Sequence, residues 1–230
     1  MQPRWNQWRI LSLLTGLLIL KVNASVVLNY RNYFPPNFQT DFLLGREAYF
    51  FGSYQWAFWV HLFSGPVSLV LGLLLINEKF LKNYRPWHRF LGRLQAINVL
   101  ALLVPSGFWM SFYAASGTQA AVSFAILSLL TGTTIAMGWR TAVQRRFADH
   151  RRWMLRNFTL LCSAVILRVC FGAATVLEYD PIWLDPTVTW GCWIMPLVIL
   201  EVAFRRRKQP SSKFADLLIP TNRHQSPTLL

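Results

Sequence analysis

The chain has 230 residues, of which 54% are hydrophobic and 14% charged, whereas about 25% of a typical soluble domain is charged. This shortage of charge beside such apolarity is typical of an integral membrane protein. The net charge of +14 would suit a nucleic-acid-binding protein. However, the basic residues sort along the chain in a way that indicates membrane topology, so we expect no nucleic-acid partner.

Long apolar runs, separated by short polar stretches, predict six transmembrane helices. Each run is about as long as the hydrocarbon core of a bilayer, and within lipid only a helix pairs its backbone groups inside one segment. The predicted fold is therefore an all-α polytopic membrane helical bundle, with residues 1–208 as the membrane domain. The six runs are Ile10–Leu28, Trp56–Ile76, Phe90–Phe112, Ala120–Arg140, Met154–Val176 and Val188–Phe204.

Basic residues are concentrated in alternate connections. The N-terminal tail, the connections after the second and fourth runs, and the C-terminal side together hold 19 of the 23 basic residues. The connection 113–118 carries no charge, and the one after the fifth run carries acids alone. Because basic loops stay on the cytoplasmic side, six spans with both termini in the cytoplasm are predicted.

Three segments need separate comment. The first run has a basic start and a Val22-Asn23-Ala24 sequence that resembles a signal-peptide cleavage site, but we expect an uncleaved first span. The aromatic connection 29–53 is expected to lie on or dip into the outer membrane interface. The polar tail 209–230 is expected to be disordered and cytoplasmic.

The four histidines are the most informative polar residues. His88 and His150 stand at matching ends of the third and fifth runs, each beside arginines. His61 lies inside the second run, ~22 Å from its cytoplasmic end, and therefore in the outer half of the membrane. His224 lies in the tail.

Arg168 is the second polar residue within the apolar runs. It lies ~18 Å beyond Arg156 along the fifth run, at about the depth of His61. A charge at that depth is costly and is a functional-site candidate by default. The sequence predicts an internal polar site near His61 and Arg168; the alternative is an arginine that reaches toward Glu178 or Asp180.

Several functions fit these residues. Two imidazoles at one level on neighbouring helices can bind haem iron axially, so His88 and His150, or His61, are candidate ligands of a b-type haem used for electron transfer. Alternatively, the histidine and arginine clusters bind an anionic lipid headgroup or small molecule, or serve a transporter. A structural or partner-binding membrane protein is the third alternative. The basic residues of these clusters are Arg89, Arg93, Arg151 and Arg152.

Motifs of known enzymes are missing. The sequence contains no G-x-x-x-x-G-K-[ST], no H-E-x-x-H and no G-x-S-x-G, so no catalytic residue is assigned and no enzyme activity is expected. Cys162, Cys170 and Cys192 fall in apolar runs without a C-x-x-C spacing, which predicts small buried side chains and no disulfide framework.

Two motifs resemble a known family. The run DHRRWMLR at 149–156, followed by Arg168, and the run HRFLGR at 88–93 are similar to hallmarks of a bacterial family of predicted membrane proteins of unknown function, DUF2306. His61 and the region of Trp193 and Pro196 match in order as well, and the resemblance covers roughly 56–204. It implies a multi-pass protein of the bacterial inner membrane and no established activity. The chain departs from the family at Leu197, where the family often has Asn, and after Gly72, where it often has Pro.

Overall fold

The computed structural model describes residues 5–40, 42–179 and 181–208. Within these ranges the protein is all-α, as predicted, and contains no strand. Residues up to Leu197 form one compact unit, and the segment from Val198 forms a second, of which the described part continues the last helix. The helices are α1 (Trp5–Leu28), α2 (Glu47–Phe50), α3 (Ser53–Leu75), α4 (Glu78–Asn83), α5 (Arg85–Ile97), α6 (Val104–Ser111), α7 (Gly117–Val143), α8 (Phe147–Leu161), α9 (Ser163–Val176) and α10 (Leu184–Lys208), with a 3-10 turn at Asn29–Asn32 and a π-helix at Asn98–Leu103.

The described helices include six stretches that are long and apolar enough to cross a membrane, which confirms the predicted number of spans. Five of them begin earlier than predicted, and the largest differences are at Arg85 instead of Phe90 and at Phe147 instead of Met154. Hydropathy marks the apolar core of a span, whereas the helix continues through the amphipathic turns that flank it. The stretches are Ser12–Asn32, Ser53–Leu75, Arg85–Ser111, Gly117–Val143, Phe147–Val176 and Leu184–Arg206.

The third span is interrupted by the π-helix, which precedes Pro105. Proline has no N–H, so Pro105 cannot bond the carbonyl four residues earlier, at Ala101. The N–H of Val104 bonds instead to the carbonyl of Val99, five residues back. A wider turn of this kind separates α5 from α6 within one continuous span.

Connections meet at two opposite ends of the bundle. The Arg151 guanidinium forms an ion pair with Glu78 at 2.5 Å, which joins the connection after α3 to the start of α8. We call this the basic end. At the other end, the Nη1 atom of Arg46 lies 3.0 Å from the carbonyl oxygen of Tyr113, which joins the connection before α3 to the one after α6. We call this the cap end. The end that faces the cytoplasm stays a prediction.

Residues 29–53 fold onto the cap end as a packed aromatic cap. Its Leu43 and Phe50 are fully buried against Tyr54 and Phe58 of α3. Arg46 is also buried, and its guanidinium contacts two tyrosine hydroxyls and two backbone carbonyls. The connection therefore packs on the bundle end to a greater extent than the predicted position in the membrane interface implied. Three other phenylalanines of the cap, Phe34, Phe42 and Phe51, are exposed.

Buried polar side chains join the spans. Asn98 donates to the carbonyl of Ser64 at 3.0 Å and to the Ser68 hydroxyl at 2.7 Å, and Gln95 donates to the carbonyl of Ser68 at 3.1 Å. In lipid such hydrogen bonds hold helices together where the hydrophobic effect between helices is weak. The same principle joins α7 to α10, where Trp193 donates to the Ser123 hydroxyl at 3.0 Å. The cysteines form no disulfide, and the predicted tail, 209–230, lies outside the described residues.

Candidate functional site

At the basic end, α5 presents His88 toward the bundle. Pro86 in the first turn starts the helix with a preset φ angle. Trp87 and Phe90 are exposed on the outer face, each with 59% of its surface accessible. His88 lies between them in sequence on the opposite face and is half-buried, in contact with the Phe80 ring at a centroid distance of 6.4 Å. Its Nδ1 atom is buried and has no hydrogen-bond partner among the described residues.

His150 stands one turn inside α8. Its Nδ1 atom lies 2.8 Å from the carbonyl oxygen of Gly138. A carbonyl can only accept, so Nδ1 carries the proton and the neutral ring keeps its lone pair on Nε2. Gly138 permits this approach because α7 and α8 are close there: a Cβ atom at Gly138 would lie 2.7 Å from the Met154 sulfur. His88 and His150 are near enough to interact electrostatically.

The end of α3 explains why these two histidines face a common region. Gly72 of α3 lies between α5 and α8, since a Cβ atom there would be 2.7 Å from the Phe158 ring and 3.9 Å from Gln95 Nε2. His88 precedes Gln95 by ~10 Å along α5, and His150 precedes Phe158 by ~12 Å along α8. α3 ends at Leu75, only ~4.5 Å beyond Gly72. Both imidazoles therefore lie beyond the end of α3, the helix that separates α5 from α8 at the level of Gly72.

The arginines of this end differ in their partners. Arg146 bonds Asp149 at 2.5 Å, and Arg152 lies 4.0 Å from the same carboxylate. Arg151 pairs with Glu78. Arg89 and Arg93 are exposed on α5 and have no acidic partner among the described residues. We call His88, His150, Arg151 and Glu78 the basic-end site. Among the described residues, neither Arg89 nor Arg93 forms an ion pair with a residue of this site.

The third histidine, His61, lies in the other half of the bundle. The Ser106 hydroxyl donates to the carbonyl of Leu102 at 2.6 Å, so its oxygen accepts from Nδ1–H of His61 at 3.2 Å. Gly107 gives the ring room, because a Cβ atom there would lie 3.0 Å from His61 Cε1. Histidine, serine and glycine thus join α3 to α6 just after the π-helix.

Arg168 of α9 approaches the same region. Its guanidinium lies near His61 and near Tyr30 and Tyr33 of the aromatic cap. Its side chain is exposed on the side of the bundle, and Nη1 donates to the carbonyl of Ala164 at 3.2 Å. We call Arg168, His61, Tyr30 and Ser106 the outer site. It lies in the opposite half of the bundle from the basic-end site.

Tyr30 and Ser106 were not predicted as site residues from the sequence. Two prolines, Pro66 and Pro105, could have indicated that polar partners are needed there. Pro66 lacks the N–H that would bond the carbonyl of Leu62 in a regular helix. The Tyr30 hydroxyl donates to this carbonyl at 2.5 Å. Pro105 likewise disrupts the helix next to Ser106. A proline inside a predicted span frees a carbonyl that needs a donor, and that donor is found on another segment.

The predicted haem ligation is not supported. The described residues contain no group of three or more His, Cys, Asp or Glu side chains that could hold a metal ion. His61 lies far from His88 and His150, and the described parts of α5 and α8 do not pack directly against each other. No pair of facing imidazoles set for an iron atom follows from these positions.

A comparison with family models places the chain. Residues 58–204 match the model of a family described as "Predicted membrane protein (DUF2306)". The chain belongs to this DUF2306 family. The match includes His61, both basic-end histidines and Arg168, in agreement with the resemblance in sequence. No curated protein and no solved structure matches the chain.

Proposed function

We propose that this DUF2306 protein is a multi-pass inner-membrane protein that binds an anionic, phosphate-bearing group at its basic-end site. The observation that supports this most directly is the half-buried His88 ring, whose Nδ1 atom is buried without a partner. Buried polar atoms are nearly always hydrogen-bonded, so an unpaired one beside a charged cluster indicates a partner from outside the chain. The neighbouring His150 has its own Nδ1–H engaged, which fixes its orientation.

The arginines alone would not support this proposal, because basic loops are expected from topology in any such protein. The histidines add something that topology does not require. They stand beyond the end of α3, beside Arg151, which is positioned by its ion pair with Glu78. An arginine fork and an imidazole N–H donor from His88 together suit phosphate oxygens. A lipid headgroup and a soluble phosphate ester share this chemistry.

Binding is tested with the delipidated full-length protein by native mass spectrometry. Phosphatidylglycerol is titrated against zwitterionic phosphatidylcholine, and inorganic phosphate is added as a competitor. Loss of one hydrogen bond to a charged group, as in His88→Gln, is expected to weaken phosphatidylglycerol binding about tenfold. Displacement by inorganic phosphate would assign the site to phosphate itself; resistance to it would assign the site to the whole lipid.

Lys79→Gln is the matched control, because it removes a full positive charge from the exposed connection at the same end. If general attraction to the basic end explains binding, Lys79→Gln weakens it at least as much as His88→Gln, and the proposal fails. Equal binding of both lipids would also contradict it. A visible Soret band that disappears in His88→Ala would favour the haem-based alternative instead.

The proposed orientation, with both termini in the cytoplasm, rests on the segregation of basic residues. It is tested by Ser212→Cys in a chain whose three native cysteines are replaced by alanine. A membrane-impermeant maleimide is expected to label this cysteine only after cells are opened. Labelling in intact spheroplasts would show that the C-terminus lies outside the cytoplasm and would contradict the proposed orientation.

A further inference from the structure

Arg168 is a cation inside a membrane span. It lies eight residues before the end of α9 at Val176, which is ~12 Å along the helix. Its side chain is exposed on the side of the bundle, and its hydrogen bond to Ala164 is to its own helix. Among the described residues no Asp or Glu forms an ion pair with it. A charge at this depth is costly unless something neutralises it.

The surroundings of Arg168 are polar on one side and apolar on the other. Toward the bundle stand His61 and Tyr30, whose positions are fixed by hydrogen bonds to Ser106 and to the Leu62 carbonyl. Because Nδ1–H of His61 is engaged with Ser106, its other nitrogen carries the lone pair of the neutral ring. Exposed apolar side chains lie close to these residues in sequence: Val169 directly follows Arg168, Phe63 follows His61 by two residues, and Val27 precedes Tyr30 by three. The Phe63 ring contacts the Tyr30 ring at a centroid distance of 5.3 Å.

We propose that the outer site binds the anionic head of a lipid, a carboxylate or a phosphate, which reaches Arg168 sideways from the bilayer. The planar guanidinium presents paired N–H donors that match the oxygens of either group. The exposed Val27, Phe63 and Val169 side chains leave the acyl chain in apolar surroundings. The anion neutralises the arginine without leaving the membrane, which removes the cost of an unpaired charge there.

Two other partners of Arg168 fit the structure less well. Glu178 follows it on the same segment, but the two side chains form no ion pair in the described structure. An acid from another protein would require a second membrane helix against this face. A lipid is already present in the bilayer at high concentration, so it is the occupant that this exposed position meets first. The outer site is independent of the basic-end site, because they lie in opposite halves of the bundle.

The experiment mixes delipidated wild-type protein and a variant in one detergent solution and counts adducts on each by native mass spectrometry. The probes are oleate, dioleoyl phosphatidate and methyl oleate, which has the oleate chain without the charge. Arg168→Gln removes the fork, and Arg168→Lys keeps the charge. Arg140→Gln removes an exposed arginine near the end of α7 and serves as the control.

We expect oleate or phosphatidate to bind wild type, and Arg168→Gln to lower that binding about tenfold or more. Arg168→Lys retains part of the binding, and Arg140→Gln retains all of it. Preference for oleate identifies a carboxylate head, and preference for phosphatidate a phosphate head. The proposal is overturned if methyl oleate binds as well as oleate, if Arg168→Gln binds like wild type, or if Arg140→Gln loses as much as Arg168→Gln. With oleate as the probe, His88→Gln and Lys79→Gln leave the adduct count unchanged, because the basic-end site is proposed to take a phosphate-bearing group. The oleate arm therefore separates this proposal from the basic-end proposal.

Discussion

The hydrogen bond from Tyr30 to the Leu62 carbonyl should exist because of Pro66, and this dependence can be measured. In a regular helix the N–H of residue 66 would bond that carbonyl, and proline has none. Tyr30→Phe removes the hydroxyl that replaces it at 2.5 Å. Pro66→Ala restores the backbone donor. In Pro66→Ala the Tyr30 hydroxyl and the backbone N–H of residue 66 therefore compete for one acceptor, the Leu62 carbonyl.

The expected magnitude follows from the same geometry. A neutral hydrogen bond contributes about 0.5–1.5 kcal/mol, and in membrane helices about 0.6 kcal/mol on average. Tyr30→Phe also leaves a carbonyl unpaired in apolar surroundings, which costs about 1–3 kcal/mol. We expect Tyr30→Phe to cost about 1–2 kcal/mol in the wild-type chain and close to zero in Pro66→Ala. The coupling free energy is then about 1 kcal/mol or more.

The assay is thermal unfolding in detergent, followed by tryptophan fluorescence, of the four chains of a double-mutant cycle. A loss of 1 kcal/mol corresponds to a fall in Tm of about 2–4 °C for a chain of this size. Tyr179→Phe is the control, since Tyr179 is exposed at 51% and should not change Tm. If Tyr30→Phe lowers Tm by the same amount with and without Pro66, the reasoning is refuted.

Three further predictions concern stability. Arg46→Ala removes the four hydrogen bonds of the Arg46 side chain and should lower the free energy of unfolding by about 3 kcal/mol, with faster proteolysis of residues 29–53 as the readout. Gly72→Ala puts a Cβ atom 2.7 Å from the Phe158 ring and should cost about 1–3 kcal/mol, whereas Gly92→Ala meets no atom within 4 Å and should be neutral in the same thermal assay. Asn98→Leu breaks two interhelical hydrogen bonds and should lower Tm by several degrees; an unchanged Tm would show that these bonds contribute nothing net.

The number of spans could be predicted from the sequence because long apolar runs and segregated charges are local properties. The similar depth of His61 and Arg168 could be estimated as well, since depth along a helix follows from residue number. The partners of these residues could not. Ser106 reaches His61 only because Pro105 and the π-helix set the rotation of α6. The burial of Arg46 in the cap likewise involves the carbonyl of Tyr113, which lies 67 residues away in sequence.

Helix packing also determines the positions of the basic-end histidines, which composition cannot predict. His88 and His150 lie past the end of α3 because α5 and α8 both pack against α3 at Gly72. That is a relation between three helices, and no pattern within one run contains it. For the same reason the haem hypothesis, which rested on matching positions in two runs, found no support once the helices were in place.

The π-helix changes the rotational phase of α6 relative to α5 within the third span. One extra residue in a turn rotates everything that follows by about 100° relative to a regular α-helix. The α5 half can therefore aim Asn98 at α3, and the α6 half can still aim Ser106 at the same neighbour and lay Gly107 beneath the imidazole. Deleting a single residue between Asn98 and Leu103 would straighten the span and turn the outer site away from its partners while the basic end kept its register. The extra residue in that turn thus keeps α5 and α6 both oriented toward α3.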